Sequence, residues 1–188
     1  MRLLEVIPIK ETDPKVIEFF MIFGDITLGK QTVLCRDTPA FIANRIGVMS
    51  GTALVNLTIE YKMSIEEVDA ITGPLIGRPN TATFKLQDLV GLDTSEKVSS
   101  FVTQTVENDD FFEVLKSKEA PAFMNFLLDN KFYGNKSGKG FYQKTKEKDS
   151  NGRNIVNVLN LETLEYEKTI RPKLKIVKET NQSRILVK

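Results

Sequence analysis

Residues 64–94, SIEEVDAITGPLIGRPNTATFKLQDLVGLDT, contain two helix signals separated by a loop signal. Ser64 and Glu67 have the S-x-x-E spacing of a capping box, so a short helix is predicted to begin there and to end near Gly73. After the loop-forming GRPN, apolar residues from Phe84 onward recur at helical spacing. The stretch therefore predicts two consecutive helices joined by a loop.

The helical pattern extends in both directions, and from about Ala40 to Asn130 we expect only helices. The longest segment, residues 41–61, carries two charged residues among many apolar ones. We therefore expect this helix to be largely buried, with Thr38 and Pro39 marking its start. The chain as a whole is predicted to be mainly α.

The first 37 residues follow a different pattern. A short apolar run, RLLEVIPIK, ends at Pro8 and is typical of a buried strand. Asp13 and Pro14 then form a cap and first-turn pair for a helix that runs toward Leu28, and QTVLCRD returns to strand composition. A strand, a helix and a strand predict the trailing end of an α/β domain.

The tail differs again. Residues 153–168, RNIVNVLNLETLEYEK, alternate apolar and polar residues on both sides of a turn near 160–163, which predicts a β-hairpin. Residues 171–188 are basic and have no clear pattern. Because no aromatic residues interleave with these charges, a solvated linker or fraying terminus is favoured over a nucleic-acid-binding tail.

Composition excludes several kinds of chemistry. The 26 lysines and arginines nearly cancel the 25 aspartates and glutamates, so no overall field favours nucleic acid or a membrane surface. The sequence has no histidine, so it cannot by itself form a Ser-His-Asp triad or a histidine metal site, and we expect no metal. A single cysteine and the lack of a signal-peptide pattern predict a cytoplasmic location.

Residues 134–142, GNKSGKGFY, form a glycine-rich segment with two lysines. Backbone N–H groups and lysine in such a turn can wrap a phosphate group. The segment matches neither the Walker pattern nor G-x-G-x-x-G, and its composition alone favours a flexible surface loop over a phosphate site.

Five segments become informative when they are taken together. They are MRLLEVIP (1–8), LGK (28–30), DTPAFIANRIG (37–47), EEVDAITGPLIGRPNTATFKLQDLVGLDT (66–94) and NKSGKGFY (135–142). In this order and spacing, residues 1–145 resemble the 3-hydroxyacyl-CoA dehydrogenase family, in particular its longer multifunctional prokaryotic type. The similarity runs from just after the family's catalytic histidine to the end of its helical domain.

The resemblance implies a domain organisation. Residues 1–37 would be a remnant of an NAD-binding Rossmann domain, 38–145 the helical C-terminal domain, and 146–188 a β-hairpin with a basic tail or linker. The family oxidises a 3-hydroxyacyl-CoA substrate to the 3-oxoacyl-CoA in fatty-acid β-oxidation, with NAD as the hydride acceptor. A homodimer formed through the helical domain is also implied.

The same resemblance assigns roles to three residues. Glu5 matches the carboxylate that supports the catalytic imidazolium, and Asn44 matches an asparagine that contacts the reacting centre. Lys136 matches a lysine that reaches the dinucleotide, whereas Lys139 lies at a variable position and is expected to be solvated. By pattern alone, Glu5 would instead be an edge residue facing water, and Asn44 would satisfy neighbouring polar groups.

The sequence departs from the family where the chemistry is concentrated. The G-x-G-x-x-G segment, a serine near the substrate and the catalytic histidine would all precede residue 1. We therefore expect the isolated chain to be inactive, as a truncated product, a misassigned start or an expressed fragment that lacks its N-terminal Rossmann domain. A smaller departure is Ala40, where the family usually has glycine, and this difference is expected to shift the helix entry.

An alternative function belongs to another class of protein. Ala43, Gly47 and Gly51 recur every fourth residue, a spacing that lets a second helix approach closely. On this hypothesis the chain is a non-catalytic helical dimerisation or docking module. A third hypothesis, another type of β-hydroxyacid dehydrogenase, is disfavoured by GRPNTATF.

Overall fold

The computed structural model of this chain describes residues 2–116 and 119–185, and side chains are described as far as residue 180. The chain is mainly α, as predicted, and forms two compact units. One contains the described residues up to Ser50 together with Ser100–Lys116, and the other contains the remaining described residues. The helices are α1 (Pro14–Ile22), α2 (Ala43–Glu60), α3 (Ile65–Ile71), α4 (Phe84–Val90), α5 (Leu92–Thr105), α6 (Asp110–Lys116), α7 (Ala122–Asp129) and α8 (Lys175–Ile185), and the strands are β1 (Leu3–Val6), β2 (Gln31–Leu34), β3 (Tyr142–Lys148), β4 (Asn154–Leu159) and β5 (Tyr166–Lys168).

The first unit contains the predicted strand, helix and strand. Strands β1 and β2 pair in parallel, with Glu5 opposite Val33. Helix α1 begins as expected, since the Asp13 side chain accepts a hydrogen bond from the backbone N–H of Lys15. A π-helical segment follows α1 and contains Gly24, where an added Cβ would collide with the Leu4 and Thr32 side chains. Glycine is therefore required where this turn crosses the sheet.

Helix α2 begins later than predicted. Ala40 and Phe41 both have left-handed backbone conformations, with φ of 62° and 52°, and the regular helix starts only at Ala43. Thr38 and Pro39 therefore lie in the turn before the helix. A Cβ disfavours the left-handed conformation that this turn requires, so alanine at position 40 is strained where glycine would not be.

The expected burial of α2 is wrong. Thr58 is its one buried residue, and apolar side chains such as Ile46 and Met49 are 55% and 42% exposed. A Cβ built on Gly47 would meet nothing within 4 Å among the described residues. The low charge of the segment therefore did not predict its burial among the described residues.

The left-handed conformation at Ala40 leads to a prediction. Ala40→Gly should raise the free energy of unfolding by about 0.5–1 kcal/mol, because relief of backbone strain outweighs the extra freedom of the unfolded chain. Urea denaturation measures the change. As a control, Ala53→Gly inside α2 should lower the stability by about 1 kcal/mol, and an equal loss at both positions would contradict the prediction.

The second unit is organised around a continuous apolar core. Ser64 and Glu67 form the predicted capping box at the start of α3, with both reciprocal hydrogen bonds present. The predicted hairpin is also confirmed as β4 and β5, and β3 extends it to a three-stranded antiparallel sheet. The buried core residues are Ile65, Val68, Phe84, Leu92, Phe123, Leu127, Phe141, Val158 and Leu159.

The C-terminal segment is more ordered than predicted. Residues 175–185 form helix α8 instead of a linker or frayed end, and the backbone N–H of Ile170 donates to Glu66 at 3.2 Å. Residues 186–188, which belong to the predicted tail, lie outside the described residues. None of the described helices has the length and apolar character needed to cross a membrane.

Candidate functional site

Glu5 links the end of strand β1 to the beginning of helix α2. Its Oε1 accepts hydrogen bonds from the backbone N–H groups of Ile42 and Ala43, at 2.9 and 3.0 Å. The Cys35 thiol also lies 3.7 Å from this oxygen. The first N–H groups of a helix have no partner within the helix, so a carboxylate here satisfies them and complements the helix dipole. Glu5 is therefore not an edge residue pointing to water.

These contacts fix the charge of Glu5. The hydrogen bond from Ala43 lowers the pKa of the carboxyl below its usual value, against the opposing effect of burial, and the Ile42 and Cys35 contacts lower it further. Glu5 is consequently ionised at neutral pH. Burial, followed by the nearby Glu5 charge, raises the pKa of the Cys35 thiol, so Cys35 remains a protonated donor and not a nucleophile.

Asn44 lies in the first turn of α2, directly after the residue whose N–H group Glu5 accepts. Its side chain is exposed and makes no hydrogen bond to any described residue. The structure therefore brings Glu5 and Asn44 to the same end of α2. An exposed amide with unused donors and an acceptor is suited to a ligand and does not serve as a core partner.

An open, mostly apolar hollow of about 280 Å³ adjoins Glu5 in the same unit. Glu5 is the one charged residue of its lining, and the others belong to β1, the following loop and α1. The lining residues are Leu4, Glu5, Val6, Ile7, Pro8, Thr12, Val16, Ile17 and Phe20.

Lys136 lies on a short 3-10 turn, Asn135–Ser137, in the second unit. Its ammonium group forms an ion pair with Asp93 Oδ1 and donates to Thr94 Oγ1 at 3.4 Å. It also lies 5.7 Å from the centre of the Tyr133 ring. The hydrogen bond from Lys136 is the largest cause that lowers the pKa of the Asp93 carboxyl. The Lys136 side chain remains 44% exposed, so it can reach a bound anion.

The segment 134–142 is held by a carboxylate that sequence reasoning did not identify. Both oxygens of the buried Asp88 accept backbone hydrogen bonds, from Phe141 and Tyr142, each at 2.8 Å. Gly134 and Gly140 lie against Asp88 so closely that a Cβ at either position would overlap it. The glycines of this loop therefore permit close backbone packing, and the loop does not enclose a phosphate by itself. The signal available in the sequence was Asp88 itself, a charged residue within the apolar pattern of FKLQDLV.

A second buried carboxylate supports the same region. Asp69 accepts from the backbone N–H groups of Thr83 and Phe84 at 3.0 and 2.7 Å, and from the Tyr142 hydroxyl at 2.8 Å. Burial, followed by the Asp69 charge, raises the pKa of Tyr142 well above its usual range, so the hydroxyl remains a donor. Asp69 and Asp88 together anchor the segment that carries Lys136.

Lys139 is not solvated as the resemblance implied. Its ammonium group lies 4.2 Å from the centre of the Phe132 ring and 4.1 Å from that of Tyr166. Cation–π contacts of this kind stabilise a partly buried lysine. Lys139 therefore fastens the loop to the core, whereas Lys136 keeps an exposed ammonium group.

Asp88 should make stability depend on pH. Burial raises the pKa of Asp88 to about 6, while its two backbone hydrogen bonds oppose this shift and the nearby Asp69 charge adds to it. The folded state then binds the proton more tightly than the unfolded state, for which the reference value is 3.8. The free energy of unfolding should therefore fall by about 2–3 kcal/mol as the pH rises from about 4 to about 6.

Urea denaturation at several pH values measures this dependence. An Asp88→Asn variant carries no titrating group at this position and should lose the fall between pH 4 and 6. An identical pH dependence in both proteins would contradict the assignment to Asp88. Below about pH 4, protonation of Glu5 and Asp93 removes stability instead, because the pKa values of both are lowered in the folded state.

Residues 41–144 match the family model for the 3-hydroxyacyl-CoA dehydrogenase C-terminal domain. A probable 3-hydroxyacyl-CoA dehydrogenase of Bacillus subtilis is 46% identical over 144 residues, which cover 77% of this chain and 18% of that protein. A protein of the same name from Deinococcus radiodurans is 39% identical, with 81% of this chain and 42% of that protein covered. The chain thus spans less than half the length of these curated relatives.

The solved structures show the same fold. The 3-hydroxybutyryl-CoA dehydrogenase of Escherichia coli is 26% identical and superposes with a TM-score of 0.58, over 80% of this chain and 30% of that one. FadB2 of Mycobacterium tuberculosis, at 24% identity, has a TM-score of 0.59 over 77% of this chain and 48% of that one. On the strength of the matched domain, the chain belongs to the 3-hydroxyacyl-CoA dehydrogenase family, with residues 41–144 forming its C-terminal domain.

Proposed function

We propose that this chain supplies the C-terminal helical part of an NAD-dependent 3-hydroxyacyl-CoA dehydrogenase of fatty-acid β-oxidation. On this proposal, residues 1–37 are the last part of the NAD-binding domain and 38–145 are the helical domain. The observation that carries the proposal is an ionised Glu5 fixed at the N-terminus of α2, directly beside the exposed Asn44. A cytoplasmic location remains a prediction from composition.

Glu5 would act as a positioning residue. Because Oε1 is already held by two backbone N–H groups, the carboxylate has a defined orientation. Oε2 makes no hydrogen bond to any described residue and can accept one from an imidazole N–H. A carboxylate in this position fixes the tautomer of a histidine and stabilises the imidazolium, as in other acid–base pairs. The histidine itself must come from outside this sequence.

Asn44 would contact the reacting centre. Its amide can donate to the C3 oxygen of the acyl group, which carries a hydroxyl in the substrate and a carbonyl in the product.

Lys136 fits a dinucleotide. Bound NAD would accept the hydride from C3 of the hydroxyacyl group. The structure offers a half-exposed ammonium group on an anchored loop, which suits the phosphate charge or ribose oxygens of such a cofactor. Lys136 would contribute binding and orientation, without a role in proton transfer.

A partner domain is supported by the surface of the first unit. Parallel sheets are normally covered on both faces, and their strands are rarely left at open edges. Here β1 and β2 form a two-stranded parallel sheet, and Phe19, Ile22 and Leu34 are 59%, 51% and 54% exposed. We propose that the part of the NAD-binding domain that is not in this sequence covers this surface.

Reconstitution tests the proposal. The purified chain alone should not oxidise NADH in the presence of acetoacetyl-CoA, since it carries no histidine. Addition of a separately expressed NAD-binding domain from a family member, including the catalytic histidine, should restore NADH consumption. Activity of the chain alone would refute its predicted inactivity. Failure to form a complex or to gain activity with any such domain would refute the enzymatic role.

The second candidate function is a dimerisation module. The observation that favours it is the exposed apolar surface of α2, which includes Ile46 and Met49 beside the uncovered Gly47. Light scattering should then give twice the mass of the chain, and Gly47→Leu should return the monomer. A dimer that neither reconstitutes activity nor binds NADH would favour the module over the enzyme.

A further inference from the structure

Residues 88–93, which run from the last turn of α4 through Gly91 into the first turn of α5, contact segment 134–142 and the residue before it at three points. Asp88 holds the far end of the loop through the Phe141 and Tyr142 N–H groups. The backbone N–H of Leu92 then donates to the Tyr133 carbonyl oxygen at 3.1 Å, just before the loop begins. Asp93 completes the set through its ion pair with Lys136. Residues 88–93 therefore contact both ends of the loop and the Lys136 side chain.

We propose that Asp93 is a positioning residue for the dinucleotide, acting through Lys136, whose ammonium group it holds in place by an ion pair. This inference rests on the proposed function of Lys136. Asp93 need not contact the cofactor itself, because its carboxylate is already paired with the Lys136 ammonium group.

The Lys136 side chain packs directly against the backbone of Gly91. The φ of Gly91 is 98°, and a Cβ added there would lie 2.7 Å from both Cε and Nζ of Lys136. The lysine thus passes over a bare backbone before it reaches Asp93. Thr94 Oγ1 and the Tyr133 ring limit the ammonium group from two further directions. A lysine side chain otherwise samples many rotamers, so these contacts prepare one arrangement before the ligand arrives.

Asp93 can influence NADH binding in two opposite ways, and the direction in which affinity changes when Asp93 is neutralised distinguishes them. If its main effect were repulsion of the anionic cofactor, its neutralisation would tighten NADH binding. If its main effect is to orient Lys136, neutralisation must weaken binding. Because the carboxylate lies against the lysine and the site is open to solvent, screening reduces the repulsion at longer distance more than the direct contact. We therefore expect weaker binding.

The test uses the full chain reconstituted with an NAD-binding domain. Asp93→Asn should raise the dissociation constant and the KM for NADH about 3-fold, the size expected for a partly exposed ion pair. The value of kcat and the KM for acetoacetyl-CoA should change by less than about 2-fold. Lys136→Met should raise the KM for NADH about 10-fold or more. The double variant should equal Lys136→Met alone, since Asp93 acts only through the lysine.

Glu96→Gln provides the matched control. Glu96 is exposed on the same helix, and its substitution changes the charge by the same amount. It should leave both NADH constants unchanged. A structural readout comes from ¹⁵N NMR of the lysine ammonium groups in the chain alone, where Asp93→Asn should shift and broaden the Lys136 signal and Glu96→Gln should not.

The outcomes separate the two proposals. An active wild-type complex in which Asp93→Asn leaves NADH binding unchanged or tighter would overturn the role of Asp93, while the proposed function stands. An unaltered Lys136 signal, or a double variant worse than both single variants, would overturn it as well. A wild-type complex that neither binds NADH nor turns over would refute the proposed function and, with it, the cofactor role of Asp93.

Discussion

Asp88→Ala is expected to lower the free energy of unfolding by about 3–5 kcal/mol. The side chain is 3% exposed, and its two oxygens accept the N–H groups of Phe141 and Tyr142. Alanine would leave both donors buried without a partner, and each such group costs about 1–3 kcal/mol. Phe141, which is fully buried in the core, would lose the contact that fixes its backbone. Chemical denaturation followed by circular dichroism measures the loss.

Two further variants identify the cause of the stability loss in Asp88→Ala. Asp88→Asn keeps one acceptor oxygen but turns an NH₂ group toward the other N–H, so it should recover only part of the stability. Asp129→Ala, which removes an exposed carboxylate from α7, should change stability by less than about 0.5 kcal/mol. A loss of less than about 1 kcal/mol for Asp88→Ala would mean that Asp88 does not anchor the loop.

Gly134→Ala is expected to be similarly severe, with a loss of about 3 kcal/mol or more. Two effects add at this position. The backbone has φ of 96°, which disfavours any Cβ, and that Cβ would lie 2.5 Å from the Asp88 Cα. Because the obstructing atoms belong to the backbone of α4, no side-chain rotation can relieve the overlap.

Gly138→Ala isolates the first of these effects. Gly138 also has a positive φ, of 76°, but a Cβ there would meet nothing within 4 Å. Gly138→Ala should therefore lower the free energy of unfolding by only about 1 kcal/mol. Thermal unfolding of both variants measures the difference, and equal losses would show that contact with Asp88 is unimportant.

Local signals in the sequence predicted much of the fold. The Asp13 cap, the capping box of Ser64 and Glu67, and the hairpin of β4 and β5 all depend on neighbouring residues and agree with the structure. The family assignment was also correct, because it combined five segments in one order. The roles of Glu5, Asn44 and Lys136 remain predictions, although the structure gives each side chain a definite environment.

Features that depend on distant residues were missed. No local pattern shows that the N-terminus of α2 is capped by Glu5, 37 residues before Ile42, so the local signal of Thr38 and Pro39 predicts its start too early. The contact between Asp88 and the loop at Phe141 spans a longer gap, of 53 residues. The predicted burial of α2 failed for a related reason, since an apolar helix does not reveal whether its covering surface lies in the same chain.

The role of Glu5 is tested most directly by the pH dependence of acetoacetyl-CoA reduction in the reconstituted enzyme, with Glu5 or with Glu5→Gln. Glutamine keeps an oxygen that can accept from Ile42 and Ala43, so the fold should be preserved while the negative charge is lost. Reduction requires a protonated histidine, which Glu5 is proposed to stabilise.

We predict that Glu5→Gln lowers kcat about 10- to 100-fold and moves the alkaline limb of the profile about one pH unit lower. A well-folded Glu5→Gln complex with the wild-type rate and an unshifted alkaline limb would contradict that role.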